Sequence, residues 1–134
     1  MQFLEPILGG IAAFLLGLLW YTVLFGKQWQ AETGISDDEA KKGMGLTHGL
    51  ALVCMVLMSF PLNAYVINIH DLADQTFVHG AYPGALAGFS YGATAIGINY
   101  LYQKKSLKLF LIDASYLVAF LALSGGVMAA LHIG

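Results

Sequence analysis

Charged residues are scarce in this chain of 134 residues, and arginine is absent. Charged side chains make up 10% of the sequence, whereas an average soluble domain has about 25%. Six lysines and a formal net charge of −2 leave no basic surface for binding nucleic acid. Hydrophobic residues make up 58% of the chain and its mean hydropathy is +0.72. This composition excludes an ordinary soluble domain and predicts an integral membrane protein with the lipid bilayer as its partner.

Cysteine is almost absent too, since Cys54 is the only one in the sequence. An intrachain disulfide is therefore excluded, and we expect Cys54 to be a small buried apolar residue. No lysine precedes Lys27, so the positively charged start of a cleaved secretory signal is lacking. The first apolar run is expected to remain in the mature protein.

Four long apolar runs are present, and each is long enough to cross a hydrocarbon core of about 30 Å as a helix. We predict a single all-α domain, residues 1–134, folded as an integral membrane four-helix bundle. In the polar segment after the first run, Ser36 and Glu39 have the spacing of a capping box, which predicts a short interfacial helix at about residues 37–42. The predicted transmembrane helices lie at about residues 7–25, 44–69, 80–102 and 109–131.

Lysines occur in two of the three loops and nowhere else. By the positive-inside rule the first and third loops face the cytoplasm. Both termini, together with Glu5, are then expected on the outer, periplasmic side of a bacterial inner membrane. The lysines of the first loop are Lys27, Lys41 and Lys42, and those of the third are Lys104, Lys105 and Lys108.

Small residues recur at steps of four in three of the predicted helices, which places them on one helix face and permits close helix packing. Two interpretations are open: tight packing inside one bundle, or a docking face for a second copy or another membrane subunit. The positions are Gly80, Gly84, Gly88 and Gly92 in the third helix, Gly9, Ala13 and Gly17 in the first, and Ala122, Gly126 and Ala130 in the fourth.

Asp113 is the one formal charge inside the fourth apolar run. An ionisable group within a membrane must pair, reach water or stay protonated, which makes it a candidate functional residue. His48 and Asn99 are expected at a similar depth, and Tyr116 shares the helix face of Asp113 at a spacing of three, so the four residues could form one polar cluster. The cluster would serve as a structural pairing, a proton or cation relay, or a ligand site.

Imidazole and carboxylate groups are grouped near the predicted outer surface, where they could ligate a divalent metal. Their spacing matches no closed metal motif, so neither a metal nor a cofactor is expected. No arrangement of nucleophile and base is recognisable either, and an enzyme is not expected. The weak metal candidates are His70, Asp74, His79 and His132.

The segment from Gly17 to Trp29 carries a distinctive motif, Gly-Leu-Leu-Trp-Tyr followed by Leu-Phe-Gly-Lys-Gln-Trp. It resembles the signature of a family of small bacterial membrane proteins classified only as a domain of unknown function, and residues 107–116 resemble that family's final span. The resemblance implies four spans and no particular activity. From the residues alone, the motif predicts a helix end at the membrane interface with Gly26 as C-cap, or else a binding role for its aromatic side chains. Its members are Trp20, Tyr21, Phe25, Gly26, Lys27 and Trp29.

The small-residue faces and the lack of any sizeable soluble part favour a protein that acts through helix association, as a homo-oligomer or an accessory subunit of a larger membrane complex. The alternative is a channel or transporter for protons, ions or a small solute that uses the intramembrane cluster around Asp113.

Overall fold

The computed structural model describes residues 3–64 and 76–131, and all regular elements in this part of the chain are helices. Two of the helices contain a wider π-helical turn: Trp20–Leu24 continues α1, and Gly88–Ala93 joins α5 to α6. The elements are α1 (Leu4–Leu19), α2 (Gly26–Thr33), α3 (Asp37–Lys41), α4 (Met44–Leu62), α5 (Phe77–Ala87), α6 (Thr94–Tyr102) and α7 (Leu107–Ala130).

Three helical stretches of the described residues are long and apolar enough to cross a membrane: Leu4–Leu24, Met44–Leu62 and Leu107–Ala130. They coincide with three of the four apolar runs found in the sequence. The remaining run begins earlier than expected, at Phe77, and continues as helix to Tyr102. The predicted end of the second run, residues 65–69, lies outside the described residues.

The short helix α3 begins as the sequence indicates, because the Ser36 hydroxyl accepts a hydrogen bond from the Glu39 backbone N–H at 3.2 Å. Helix α2 was not anticipated. Phe25 leaves the helical conformation (φ −128°, ψ 13°) and the chain then starts a new helix. The expectation that Gly26 caps the first helix is wrong, since Gly26 is the first residue of α2, and the left-handed Gly34 (φ 71°) ends that helix.

Helix α7 contributes most of the buried residues of the core, and the other long helices are arranged around it. Gly9 of α1 lies against Ser124, and Gly17 lies against Tyr116, so α1 runs antiparallel to α7. Gly80 lies against Gly125, and Gly97 lies against Phe110, so α5 and α6 also run antiparallel to α7. Ser59 bonds Ser124, and Met55 contacts Tyr116, so α4 runs parallel to α7.

This arrangement brings both lysine-bearing loops to one end of the bundle, where α1 and α6 end and α4 and α7 begin. We call it the lysine end. Ser106, the N-cap of α7, donates a hydrogen bond at 2.5 Å to the Glu32 carboxylate of α2, which joins the two loops. The first turn of α1 and the last turn of α7 lie at the opposite end.

Large apolar side chains cover the outside of the bundle, including Val23, Leu46 and Leu101, each more than two-thirds exposed. Such a surface is stable in contact with lipid chains and unfavourable in water. Cys54 is among the exposed residues, so the expectation that it is buried is wrong. Helix α4 packs mainly on α1, and within the described part of the chain the side of α4 that carries Cys54 is exposed.

Candidate functional site

Asp113 lies in the second turn of α7 near the lysine end, with 8% of its surface exposed. Both carboxylate oxygens accept a hydrogen bond from a tyrosine hydroxyl. Tyr21, from the π-helical turn of α1, donates to Oδ1 at 2.5 Å, and Tyr100 of α6 donates to Oδ2. The carboxylate thus joins three helices, and the two phenols replace the hydration that burial removes.

The π-helical turn at the end of α1 positions the first of these partners. Its wider backbone hydrogen bond runs from the Phe25 N–H to the Trp20 carbonyl at 2.8 Å. Trp20 and Tyr21 both contact α7. The Trp20 indole N–H donates to the Ile112 carbonyl at 3.1 Å, and the Tyr21 hydroxyl donates to Asp113. Wider turns of this kind are frequent at functional sites because they change the direction of neighbouring side chains.

Aromatic rings of the sequence motif pack against Tyr21, which bonds the carboxylate, and against Tyr116. The Tyr21 ring packs edge-on against Tyr116 at 5.2 Å and against Trp29 at 6.0 Å, between ring centroids. Trp20 packs against Phe25 at 4.9 Å and against Tyr116 at 6.1 Å. Lys27 is exposed at the lysine end. The motif therefore contributes a hydrogen-bond donor and an apolar wall to the site, in addition to ending a helix.

Of the residues that the sequence groups with Asp113, only Tyr116 lies in its immediate surroundings. Its hydroxyl donates to the Ala13 carbonyl of α1 at 2.8 Å, and the residue is 5% exposed. His48 is half-buried and packs edge-on against Phe14, with ring centroids 5.5 Å apart. Asn99 is exposed. Neither contributes a hydrogen bond to Asp113 among the bonds of the described residues.

Neither Tyr21 nor Tyr100 is predicted as a partner of Asp113 from the sequence, because the motif places Tyr21 at a helix end near the membrane interface and Tyr100 belongs to no motif. The available signal was depth, since both tyrosines fall at the same level of the bilayer as Asp113 in the predicted topology. A phenol at that depth is able to donate to an intramembrane carboxylate as well as to water.

A second group of buried polar side chains lies towards the opposite end of the bundle. The hydroxyls of Ser59 and Ser124 are 2.8 Å apart, and both residues are fully buried. Beyond them, Asn63 at the end of α4 donates at 2.9 Å to Oε2 of Glu5, in the first turn of α1. Glu5 is 6% exposed and Asn63 3%, so the acidic residue expected at the outer face lies inside the bundle.

The glycine positions of the third apolar run lie against α7 of the same chain. A Cβ at Gly80 would be 2.1 Å from the Gly125 carbonyl oxygen, and one at Gly84 equally close to that of Leu121. Gly88 faces the backbone of Leu117, whereas Gly92 faces only its side chain. These contacts occupy the small-residue face, so association with another chain would need a different surface.

An open cleft lies beside the aromatic wall at the lysine end. Trp20, Phe25 and Ile112 line it, with Gln28 and Lys108 among its polar residues. Trp20 lines this cleft and also packs against Tyr116, with ring centroids 6.1 Å apart.

The residues of the outer histidine and aspartate group mostly fall outside the described part of the chain, namely His70, Asp74 and His132. His79 is described, and its Nδ1 lies 2.9 Å from the Thr76 hydroxyl at the start of α5. Within residues 3–64 and 76–131, no three His, Cys, Asp or Glu side chains come together as potential metal ligands.

Comparison with known proteins gives a family for the chain but no activity. No curated protein and no solved structure matches it. One family model matches residues 5–129, which is nearly the whole chain and includes Glu5, Asp113 and the aromatic motif. The chain therefore belongs to the family described as protein of unknown function (DUF1761).

Proposed function

We propose that the protein is a four-span integral protein of the bacterial cytoplasmic membrane that passes protons or small cations through a buried carboxylate. The fourth span is the continuous helical stretch from Phe77 to Tyr102, which lies antiparallel to α7. The lysine end faces the cytoplasm under the positive-inside rule, and both chain ends face outward.

The observation that carries this proposal is Asp113 itself. It is an acidic side chain on a helix long enough to span the membrane, almost fully buried, with both oxygens bonded to phenols. Ionisable residues are costly within a bilayer and generally mark an ion or proton pathway. A neutral amide would join the three helices at lower desolvation cost, so the acid is better explained by a need to gain and lose a proton or to bind a cation.

The cleft beside Trp20 supports this assignment. It opens at the lysine end and brings polar groups, Gln28 and Lys108, close to the aromatic wall of the site. Trp20 lines the cleft and also packs against Tyr116, and we expect water on the cytoplasmic side to approach Asp113 past this aromatic wall.

The test is proton flux into vesicles that contain the purified protein, driven by a potassium diffusion potential and followed with an enclosed pH-sensitive dye. We expect flux well above that of empty vesicles, and a loss of at least tenfold in D113N. The matched control is D38N, the same chemical change at an exposed position of α3. Wild-type vesicles that are as tight as empty ones to protons, Na⁺ and K⁺ would refute the proposal.

Association with a second copy or another membrane subunit is the second candidate. It is favoured by Gly45 and Gly49 of α4, where a Cβ would meet nothing within 4 Å, so that a small-residue surface is open on the least buried of the three long apolar helical stretches. Native mass spectrometry of the protein extracted gently from its own membrane tests this candidate. A homo-oligomer or a defined complex supports it, and a monomer contradicts it.

A further inference from the structure

The open cleft at the lysine end combines one cation and two uncharged polar side chains with apolar walls. Its volume is about 390 Å³, which lies within the range of about 300–1,000 Å³ that is usual for small-molecule sites. Trp20, Phe25 and Leu111 contribute to the apolar walls, and Lys108 and Gln28 contribute the cation and an amide. A ligand that fits this cleft therefore carries an anionic group next to an apolar one.

The polar side chains of the cleft have no partners of their own within the described residues. Lys108, Gln28 and Ser115 are all exposed, and none of them makes a hydrogen bond or an ion pair with residues 3–64 or 76–131. No acidic side chain in this part of the chain lines the cleft. Glu32 follows Gln28 one turn later on α2, and its carboxylate accepts the bond from Ser106 at 2.5 Å. Lys108 is thus available to pair with an anion from outside the protein.

These polar groups lie at different depths along α7. Lys108 is the second residue of the helix and Ser115 follows seven residues later, which places it about 10 Å deeper in the bundle. Leu111 lies between them and is 54% exposed. The interfacial layer of one leaflet is about 5–8 Å thick, so the two polar residues lie on its two sides. A phospholipid presents its groups in this order, with the phosphate at the surface, the ester oxygens below it and the acyl chains deepest.

We propose that the cleft binds one anionic phospholipid from the leaflet at the lysine end. The Lys108 ammonium pairs with the phosphate, and the Gln28 amide donates a further hydrogen bond to the headgroup. The Ser115 hydroxyl donates to an ester oxygen, and an acyl chain lies along Leu111 and the Trp20 ring. Basic pockets on the cytoplasmic side of helix bundles commonly bind anionic headgroups. This inference goes beyond the proposed function and does not depend on it, since binding is measured without any proton flux.

The charges at the lysine end favour an anionic lipid over a zwitterionic one. Its loops and short helices carry six lysines against four acidic residues. A choline or ethanolamine group would bring a second cation close to Lys108, which is unfavourable. A free phosphate ion would leave the apolar walls in contact with water, whereas an acyl chain covers them. The four acidic residues are Glu32, Asp37, Asp38 and Glu39.

The test measures the fluorescence of Trp20 in vesicles, because bromine atoms on an acyl chain quench a nearby indole. The W29F variant leaves Trp20 as the only tryptophan, and brominated phosphatidylglycerol is compared with brominated phosphatidylcholine. We expect phosphatidylglycerol to be preferred about fivefold, the ratio that corresponds to about 1 kcal/mol for one lysine at an anionic surface. Adding K108Q should bring the ratio close to one, whereas the matched control K42Q, at an exposed position outside the cleft, should keep it. Equal quenching by the two lipids in W29F would overturn the proposal.

Potassium phosphate on both sides of the vesicles distinguishes the lipid from free phosphate. We expect the preference to be the same as in potassium chloride of equal ionic strength. A preference that is lost in phosphate alone would assign the cleft to the free ion and overturn the lipid. The S115A variant should lower quenching by both lipids alike, because both have the ester group, and a loss confined to one lipid would contradict the place given to Ser115.

A second measurement uses the unmodified sequence, so it does not depend on the folding of W29F or K108Q. A phosphatidylglycerol with a diazirine on the acyl carbons next to the glycerol is irradiated with the protein in vesicles, and mass spectrometry locates the adducts. We expect them to be enriched at Leu111 and its neighbours in the cleft, and to be suppressed by excess phosphatidylglycerol but not by phosphatidylcholine. Labelling spread evenly over exposed apolar residues such as Leu46 and Val53 would contradict a specific site.

Discussion

Single hydroxyl groups determine how Asp113 is accommodated in the bundle. Each carboxylate oxygen accepts one phenolic donor, and those donors come from two different helices, Tyr21 on α1 and Tyr100 on α6. Hydrogen bonds to a charged group contribute about 1.5–3 kcal/mol each, more than neutral ones. Removing one donor leaves the buried oxygen without that partner, so the cost includes its desolvation.

We therefore expect Y21F and Y100F each to lower the free energy of unfolding by about 1.5–3 kcal/mol. The measurement is denaturant-induced unfolding of the purified protein in detergent micelles. In the D113N background each phenol loses its charged partner, so the same substitutions should cost clearly less. The matched control is Y82F, because Tyr82 is 73% exposed. Equal costs with and without the acid at position 113 would show that the tyrosines act through packing alone.

The sequence was sufficient to single out Asp113 and insufficient to identify its partners. A charge inside an apolar run can be recognised in the sequence. Which hydroxyl groups donate to that charge depends on how each helix is rotated about its own axis. The π-helical turn Trp20–Leu24 changes the direction of Tyr21 by inserting an extra residue into one turn. His48 and Asn99 have suitable depth, but depth does not fix the side of the helix on which a residue lies.

Among the helices, α5 and α7 are in close backbone contact. The backbones meet at Gly80, Gly84 and Gly88, where any side chain would collide with carbonyl groups of α7. Without a hydrophobic driving force between helices in lipid, such contacts stabilise a bundle through dispersion and close packing. The spacing of these glycines was readable from the sequence, but the sequence did not say whether the surface facing them belongs to the same chain.

Replacing Gly84 with alanine is expected to destabilise the protein by about 1–3 kcal/mol, the usual cost of overpacking. The added Cβ would lie 2.1 Å from the Leu121 carbonyl oxygen. This oxygen belongs to the α7 backbone and cannot move aside as a flexible side chain could. The control is G49A, where a Cβ meets nothing within 4 Å and the better helix former should stabilise α4 by up to about 1 kcal/mol. Thermal unfolding in detergent distinguishes the two. A neutral G84A would mean that α5 and α7 are not in backbone contact.

For the molecule as a whole, the positions of the lysines and the directions of the helices are consistent with each other. The structure brings both lysine-bearing loops to one end, because α1 and α6 end where α4 and α7 begin. The sequence anticipated this arrangement from lysine positions alone. It did not anticipate α2, because eight mostly polar residues between two short breaks carry no apolar periodicity that would indicate a helix.

This agreement leads to a prediction about topology that also tests the fourth span. In a C54S background, single cysteines replace Lys42 and Lys105 at the lysine end and Thr76 at the start of α5. A membrane-impermeant maleimide applied to intact cells should label T76C, and it should label K42C and K105C only after the membrane is permeabilised. Thr76 and Lys105 lie at the two ends of the stretch formed by α5 and α6, so labelling of both from one side would mean that this stretch does not cross the bilayer. Labelling of K42C from outside, with T76C protected, would invert the orientation and place Glu5 on the cytoplasmic side.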